Sequence, residues 1–281
     1  MIRRVPQNPV PFTSRVTPAN LQSARFIAWL LFALLPTIFL GCGATVDPAA
    51  VRHAKAVKAL IDLGAEVFDV EDEVTHDRGT YVLLFKEHFT NDGQVQGDVL
   101  KLIREIQALF LGVTSTPIRD AAMPDLAKLP NLHVLNATDT KVTNRGLKLI
   151  AASRDLRLLK LNRTHITDDG LECLREMPSL RLIYLGDTDL SVKAVRHLAK
   201  LPQLEAIKLT ALPITDQGLS SLSEMPRLRF LALDGTAITD AGLKHLDLLP
   251  KLAYLDLQNT VVSLDAIKDF RTRHPKCFVK E

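Results

Sequence analysis

Leucine and isoleucine recur along this chain at a fixed interval of 24 residues. One series is Leu132, Leu156, Leu180, Leu204, Leu228 and Leu252, and a second is Leu135, Leu159, Ile183, Ile207, Leu231 and Leu255. A constant interval of this size is the sequence signature of a solenoid built from stacked repeats. The pattern therefore predicts one structural unit that is repeated along most of the chain.

Each unit has two halves with different hydrophobic periods. In the unit that begins at Leu156, apolar and polar residues alternate as far as Leu161, which is typical of a short strand with one buried face. Leu171, Leu174 and Met177 follow at spacings of three and predict a short helix. We therefore expect an α/β solenoid of about eight strand-turn-helix units over residues 79–264, with a parallel sheet on one face.

Small and hydroxylated residues also recur in columns. A serine or threonine precedes the helical half of six units, where its oxygen can cap the helix: Thr143, Thr167, Ser191, Thr215, Thr239 and Ser263. A second hydroxyl column, represented by Thr140 and Thr164, can satisfy backbone groups in the turn after the strand. A glycine column that includes Gly146 and Gly242 predicts close packing of the helix against the sheet.

The complete motif, L-x-x-L-x-L-x-x-T-x-I-T-D-x-G-L, resembles the leucine-rich-repeat superfamily. It is most similar to the ribonuclease-inhibitor-like class, which includes F-box/leucine-rich-repeat proteins, with threonine in place of their cysteine. Bacterial secreted leucine-rich-repeat lipoproteins carry similar repeats. The resemblance implies an arc or horseshoe that binds a partner, with no catalytic residues to transfer. No F-box-like helical segment precedes the repeats, so a ubiquitin-ligase adaptor is the weakest of the functions that the resemblance suggests.

The first 46 residues resemble an export signal. They contain four arginines and no acid, and a 15-residue apolar run, 26–40, is followed by Gly41-Cys42-Gly43. Cys42 resembles the lipidated cysteine of bacterial lipoproteins. Two alternatives stay open, an uncleaved membrane anchor over residues 26–46 and a simple cleaved signal. All three possibilities place the repeats outside the cytoplasm. A lipidated Cys42 or an uncleaved anchor would also tether them to the cell envelope.

Residues outside the repeats are expected to close the solenoid at its ends. Residues 47–78 predict a helix and a strand that cap the first unit, and residues 265–281 predict a helix and a strand that cap the last unit. Cys173 and Cys277 belong to units several strands apart, so they should lie too far from each other for a disulfide, which needs Cα atoms within about 7 Å.

Composition and motifs argue against two functional classes. The formal net charge of the chain is +3, but the four arginines of residues 1–46 leave +3 − 4 = −1 for residues 47–281. Basic residues are interspersed with acids and only 5% of residues are aromatic, so nucleic acid is not an expected partner. The sequence contains no metal-binding, cofactor-binding or nucleophile motif. We therefore expect that the protein binds no metal or cofactor and is not an enzyme.

The candidate partner-binding surface consists of strand residues that point away from the core. Its members are Leu158, Lys160, Leu182, Tyr184, Lys208, Phe230 and Tyr254, with Tyr184 between the two lysines as its centre. If exposed, the apolar members would form an interaction stripe. Alternatively, that column packs at the sheet edge, half covered by the neighbouring turn. We expect a non-catalytic protein-binding scaffold at a bacterial cell envelope, or alternatively a structural envelope protein that self-associates.

Overall fold

The computed structural model of the chain describes residues 47–71 and 78–281. The expected export signal, including Cys42, lies outside these residues. Within the described ranges, no helix combines the length and the apolar character that crossing a membrane requires.

A helix and an antiparallel hairpin precede the repeats. Helix α1 (Pro48–Asp62) begins after Asp47, whose Oδ1 accepts a hydrogen bond from the Ala49 N–H at 2.9 Å, as an N-cap residue should. Gly64, with φ of +96°, ends this segment and leads into β1 (Glu66–Glu71). Strand β1 pairs antiparallel with β2 (Arg78–Leu83), the first strand of the repeating sheet.

Strands and helices alternate from there to the end of the chain. They are α2 (Gly97–Ile106), β3 (Phe110–Gly112), α3 (Met123–Ala127), β4 (Val134–Asn136), α4 (Asn144–Ile150), β5 (Leu158–Lys160), β6 (Leu182–Tyr184), α5 (Ala194–Ala199), β7 (Ala206–Lys208), α6 (Asp216–Leu219), β8 (Phe230–Ala232), α7 (Asp240–Leu246), β9 (Tyr254–Asp256), α8 (Leu264–Arg273) and β10 (Phe278–Lys280). Short 3-10 helices occupy Lys86–His88, Asp120–Ala122, Asp168–Glu176 and Ser220–Glu224.

The ten strands form one open sheet in chain order, and β2 to β10 are parallel. The register is set by the 24-residue interval, because Leu135 pairs with Leu159 and Leu159 pairs with Ile183. These core positions are fully buried. The predicted α/β solenoid with about eight units is therefore confirmed, since β2 to β9 supply eight parallel strands.

One predicted helix has a tighter winding than an α-helix. Asp168–Glu176 is a 3-10 helix, which has three residues per turn. Its apolar residues Leu171 and Leu174 are spaced by three, so this winding keeps both on one side, where they are buried with Met177, which directly follows the helix. The spacing that predicted a helix thus suits the 3-10 form better than the α form.

The second hydroxyl column closes the turn after each strand, as predicted. The Thr140 hydroxyl donates to the Ala137 carbonyl at 2.7 Å, and the Thr164 hydroxyl donates to the Leu161 carbonyl at 2.6 Å. The same bond forms at Thr116, Thr188, Thr236 and Thr260. At Leu212 the column has no hydroxyl, and the leucine side chain is buried in the core instead.

The residue before each of these hydroxyls has left-handed backbone geometry. Asp139, Arg163 and Asp187 have φ of 57°, 53° and 54°, a region that costs non-glycine residues energy. The geometry directs their N–H groups to the next unit, where Asp139 donates to the Asn162 carbonyl and Arg163 to the Gly186 carbonyl, at 2.8 and 2.9 Å. Each turn is thereby hydrogen-bonded to its neighbour.

Acidic side chains join consecutive units on the helical side. Asp216 Oδ1 accepts from the Thr239 N–H at 2.9 Å and Oδ2 accepts from its hydroxyl at 2.6 Å, 23 residues along the chain. Asp240 accepts the same pair of bonds from Ser263 at 2.7 and 2.8 Å. These bonds favour the ionised carboxylate and lower the pKa of Asp240. Equivalent pairs join Asp120 to Thr143 and Asp168 to Ser191. In the Asn144 pair, Oδ1 accepts from the Thr167 N–H but Nδ2 donates to the Thr167 hydroxyl.

The predicted helix caps form in four of the six units. The side-chain oxygens of Thr143, Ser191, Thr239 and Ser263 accept bonds from N–H groups at the start of the following helical segment. Thr167 and Thr215 make no such cap bond. The hydroxyls of the four capping residues also donate to the preceding unit's aspartate, so this column holds units together as well as capping helices.

The glycine column has a different cause from the predicted packing against the sheet. A Cβ atom on Gly242 would lie 2.3 Å from Asp216 Oδ1, and one on Gly146 would lie 2.3 Å from Asp120 Oδ1. The joining carboxylate of the preceding unit therefore occupies the space beside these two glycines, and the Asn144 amide occupies it beside Gly170. Gly218 differs, because the preceding unit carries Val192 in place of the acid, and its nearest atom would be 3.5 Å away.

This difference predicts opposite effects of one substitution at two equivalent sites. We expect Gly242→Ala to lower the free energy of unfolding by up to about 1 kcal/mol, because the methyl must shift the bonded Asp216 carboxylate. The cost is small because Ala266 occupies the equivalent position beside the intact Asp240–Ser263 bonds. Gly218→Ala should be neutral or stabilising by up to about 1 kcal/mol, through helix propensity. Urea unfolding of the full chain, followed by circular dichroism, measures both. Equal effects at the two sites would contradict the role of the carboxylate.

The missing acid at Val192 predicts a stabilising substitution. Val192→Asp should restore the two bonds to Thr215 and raise the free energy of unfolding by about 1 kcal/mol, since Val192 is 44% exposed and little apolar burial is lost. Val192→Ala is the control without an acceptor. In the Val192→Asp background, Gly218→Ala should become destabilising, as Gly242→Ala is in the native chain. Additive effects of the two substitutions would contradict this coupling.

Candidate binding face of the sheet

The predicted site residues lie on one face of the sheet, in register across neighbouring strands. Leu158 pairs with Leu182, and Leu182 pairs with Ala206. In the parallel row, Lys160 pairs with Tyr184 and Tyr184 pairs with Lys208. Neighbouring strands are about 4.8 Å apart, so the two lysines lie two strand steps, about 10 Å, from each other along the row. We call the outward positions of β3 to β9 the sheet face.

The apolar row of the sheet face is packed rather than exposed. Leu158, Leu182 and Tyr254 are 1%, 4% and 4% exposed. Together with Phe110, Val134, Tyr184 and Ala206, the two leucines form a buried cluster that is separate from the main core. Burial on this face favours the packing alternative for these side chains over an exposed apolar stripe. Phe230 is the member of the row between β3 and β9 that stays partly exposed.

Tyr184, the predicted centre, is also buried. It is 5% exposed and belongs to the same cluster, with the Lys160 Nζ 5.1 Å from its ring centroid. This distance allows a cation–π contact. Lys160 and Lys208 are half-buried on either side of it. The predicted centre therefore combines a buried tyrosine with two half-buried lysines on the neighbouring strands.

Aromatic stacks continue the apolar row at both of its ends. Phe68, Tyr81 and Phe110 stack with ring centroids 5.1 and 5.9 Å apart, across β1, β2 and β3. At the other end, Tyr254 lies 5.7 Å from Phe278 of β10. Sequence analysis missed Phe68, Tyr81 and Phe278 because they lie outside the regular repeats. Extending the register by one strand at each end would have found Tyr81 and Phe278.

Tyr254 is held in a polar contact at the C-terminal end of the sheet face. Its hydroxyl donates to Asp256 Oδ2 at 3.4 Å, and the same oxygen lies 3.1 Å from the Lys280 Nζ. Burial raises the pKa of Tyr254 well above its usual range, and the nearby Asp256 charge raises it further. Tyr254 therefore stays a neutral hydrogen-bond donor at physiological pH.

The two cysteines lie away from this face and are not joined. Cys173 is half-buried on the 3-10 helix, and Cys277 is 7% exposed just before β10. The prediction that no disulfide joins them is confirmed. Burial raises the pKa of Cys173 to about 11, with a smaller contribution from Glu176, and burial raises the pKa of Cys277 to about 12. In residues 47–71 and 78–281, no group of three or more His, Cys, Asp and Glu side chains could hold a metal ion.

These raised pKa values predict slow thiol chemistry in the folded chain. At about pH 8 a thiol with an ordinary pKa is partly ionised, whereas a raised pKa leaves almost none of the reactive thiolate. We expect iodoacetamide to label Cys277 far more slowly in the folded chain than in urea, and Cys173 at an intermediate rate. Peptide mass spectrometry reports each site separately. Equal labelling of Cys277 in both conditions would contradict its burial.

Comparison with known proteins agrees with the repeat structure. A family model described as Leucine Rich repeat matches residues 152–174. The matched segment spans about one unit of the repeat. Among curated proteins, none matches the sequence significantly.

Solved structures that match this chain include two internalins from Listeria monocytogenes. Internalin C2 (inlC2) has 19% sequence identity and a TM-score of 0.53, over 83% of this chain and 92% of that one. A second internalin (inlF) has 19% identity and a TM-score of 0.46, over 64% of this chain. This chain covers 62% of the length of that protein. At this identity, the likeness to internalin C2 shows a shared fold alone.

Proposed function

We propose that this leucine-rich-repeat chain is a non-catalytic scaffold that binds a protein partner through the sheet face. The observation that carries the proposal is the row of Lys160, Tyr184 and Lys208 on three consecutive strands. The buried apolar cluster beneath fixes these strands, so the two lysines have defined positions. Defined charges on a rigid surface provide specificity in protein recognition.

The proposed location is a bacterial cell envelope. The basic start, the apolar run and Cys42 support export of the chain, followed by lipid attachment at Cys42 or retention as a membrane anchor. In this proposal residues 1–46 supply the tether, residues 47–78 and 265–281 cap the solenoid, and residues 79–264 carry the binding surface.

The alternative is a structural envelope protein that self-associates. Strand addition is one route to self-association, and it is disfavoured at the C-terminal edge of the sheet. Strand β10 bonds to β9 through the backbone of Phe278 and Lys280. The carbonyl between them, that of Val279, accepts a bond from Arg271 Nη2 at 2.7 Å. Arg271 also pairs with Glu281 at 3.2 Å. A side chain that occupies the edge in this way blocks an incoming strand.

Charge reversal on the sheet face tests the proposal. The immobilised full chain is exposed to envelope extract beside two variants, Lys160→Glu with Lys208→Glu and Lys148→Glu with Lys244→Glu. The second variant makes the same change of charge at exposed positions on the helical side. We expect a protein that the native chain and the helical-side variant retain to be lost from the sheet-face variant. All three must first give the same circular dichroism spectrum.

Retention of the same protein by the sheet-face variant would show that recognition lies elsewhere on the chain. Loss from both variants would assign recognition to overall charge rather than to the sheet face.

A further inference from the structure

One contact between repeat units differs from its neighbours in the residues that join it. We call the place where β6 meets β7, between residues 180–203 and 204–227, the β6–β7 contact. The contacts on either side of it are joined by side-chain bonds on the helical side and at the turns, as well as by the strands. At the β6–β7 contact the chain carries residues that cannot form those bonds.

On the helical side the β6–β7 contact has no acceptor. Five of the six contacts between β3 and β9 have a side-chain oxygen that accepts a bond from the next unit, as Asp168 does from Ser191 and Asp216 does from Thr239. Val192 occupies this position before Thr215. Valine has no hydrogen-bonding group in its side chain, so the two bonds that Asp216 accepts from Thr239 have no counterpart here.

At the start of the next unit the contact lacks a backbone bond. The N–H of His165 donates to the Val142 carbonyl of the preceding unit at 3.2 Å, and the N–H of Ala237 donates to the Ile214 carbonyl at 3.0 Å. Pro213 occupies the equivalent position at the β6–β7 contact. Proline has no N–H, so this bond cannot form.

The polar column after the strands is interrupted at the same contact. Asn162 Nδ2 donates to the Thr138 hydroxyl at 3.3 Å, and the Thr210 hydroxyl donates to Asp234 Oδ1 at 2.8 Å, across two other contacts. Gly186 lies opposite Thr210 at the β6–β7 contact and has no side chain to offer it. Three separate kinds of bond between units are thus lost at one place in the solenoid.

Strand pairing and apolar packing remain at the β6–β7 contact. The Leu185 N–H donates to the Lys208 carbonyl at 2.9 Å, and the fully buried Ile183 and Ile207 pair in register. Each missing hydrogen bond shifts an opening equilibrium by about threefold to tenfold. The two at Val192 and the one at Pro213 together amount to a factor on the order of a hundred.

We infer that the β6–β7 contact divides the solenoid into two cooperative blocks, and that the C-terminal block, residues 204–281, opens while the N-terminal block, β1 to β6 with their helices, stays folded. In a solenoid each unit contacts only its neighbours, so separation at one contact leaves the packing on both sides intact. The C-terminal block has four strands against six and is therefore the one that opens at lower cost.

The boundary crosses the row of residues on which the proposed function depends. Lys160 and Tyr184 belong to the N-terminal block, and Lys208 belongs to the C-terminal block. A partner that contacts all three binds the closed form alone and stabilises the β6–β7 contact by mass action. This consequence rests on the proposed function, whereas the boundary itself is a property of the free chain and is tested without a partner.

Native-state hydrogen exchange of the full chain in a non-ionic detergent tests the inference. Exchange is followed by mass spectrometry of peptic fragments, in urea concentrations below the unfolding midpoint. We expect the amides of β7, β8 and β9 to share one opening equilibrium and to exchange about tenfold or more faster than those of β4, β5 and β6. Equal protection on both sides, or protection that changes from unit to unit without a step, would overturn the inference.

Two matched core substitutions separate block opening from global unfolding. Leu159 and Leu231 occupy the same column and are fully buried on β5 and β8. Leu159→Ala should speed exchange of β4 to β6 about tenfold or more and leave that of β7 to β9 within about twofold, because the C-terminal block opens without disturbing Leu159. Leu231→Ala should speed exchange in both blocks, since global unfolding includes the C-terminal block. Acceleration of both blocks by Leu159→Ala would show a single cooperative unit.

Exchange of residues between two neighbouring contacts tests the cause of the boundary. One variant repairs the β6–β7 contact and weakens the β7–β8 contact at constant composition, through Val192→Asp, Pro213→Ala, Asp216→Val and Ala237→Pro. The step in protection should move by one unit, so that residues 204–227 exchange about fivefold or more slowly than residues 228–281. Val192→Ala supplies no acceptor and should leave the step at the β6–β7 contact. A step that stays there in the four-substitution variant would contradict the assigned cause.

Discussion

No unit of this solenoid can bury its own apolar residues, and the rest of the structure depends on this constraint. A strand of three residues and a short helix leave two open sides, which only the preceding and following units can cover. The polar contacts, like the apolar ones, lie between units. The strand pairs, the left-handed turn residues and the aspartate–hydroxyl pairs all join one unit to the next. Stability is therefore a property of interfaces, and local weakness is found where an interface lacks one of these bonds.

The contact between residues 180–203 and 204–227 is such a place. Val192 offers no acceptor to Thr215, Thr215 makes no side-chain cap bond, and the next turn carries Leu212 in place of the hydroxyl. The strands still pair in register there, through Leu182 and Ala206. Apolar burial and backbone pairing are thus sufficient to keep the units stacked. The aspartate–hydroxyl bonds further stabilise those contacts between units that contain them.

The regular part of the fold could be predicted from the sequence because one interval fixes both the strand direction and the register. Leu135, Leu159 and Ile183 must face the same way once the repeat is recognised. The bonds between units could not be predicted in the same way. Arg163 gives no sign of a left-handed conformation, since glycine, asparagine and aspartate are the residues that signal it. The role of Asp216 depends on a partner in the next unit, which only the three-dimensional stacking identifies.

Prediction of the candidate site was limited because the direction in which a side chain points does not determine how exposed it is. Alternation within a strand correctly placed Leu158, Lys160 and Tyr184 on the face opposite the core, because successive side chains point to opposite sides. Alternation does not indicate how large neighbours pack on that face, and the buried cluster includes Leu158 and Tyr184. The fold requires apolar residues in that row for packing, but it does not require a particular charge in the two rows beside it. Histidine, arginine, glutamate and alanine all occupy the position before a strand at His133, Arg157, Glu205 and Ala253 without altering the register. The charges in those two rows therefore differ from unit to unit, and the repeat motif alone does not predict them.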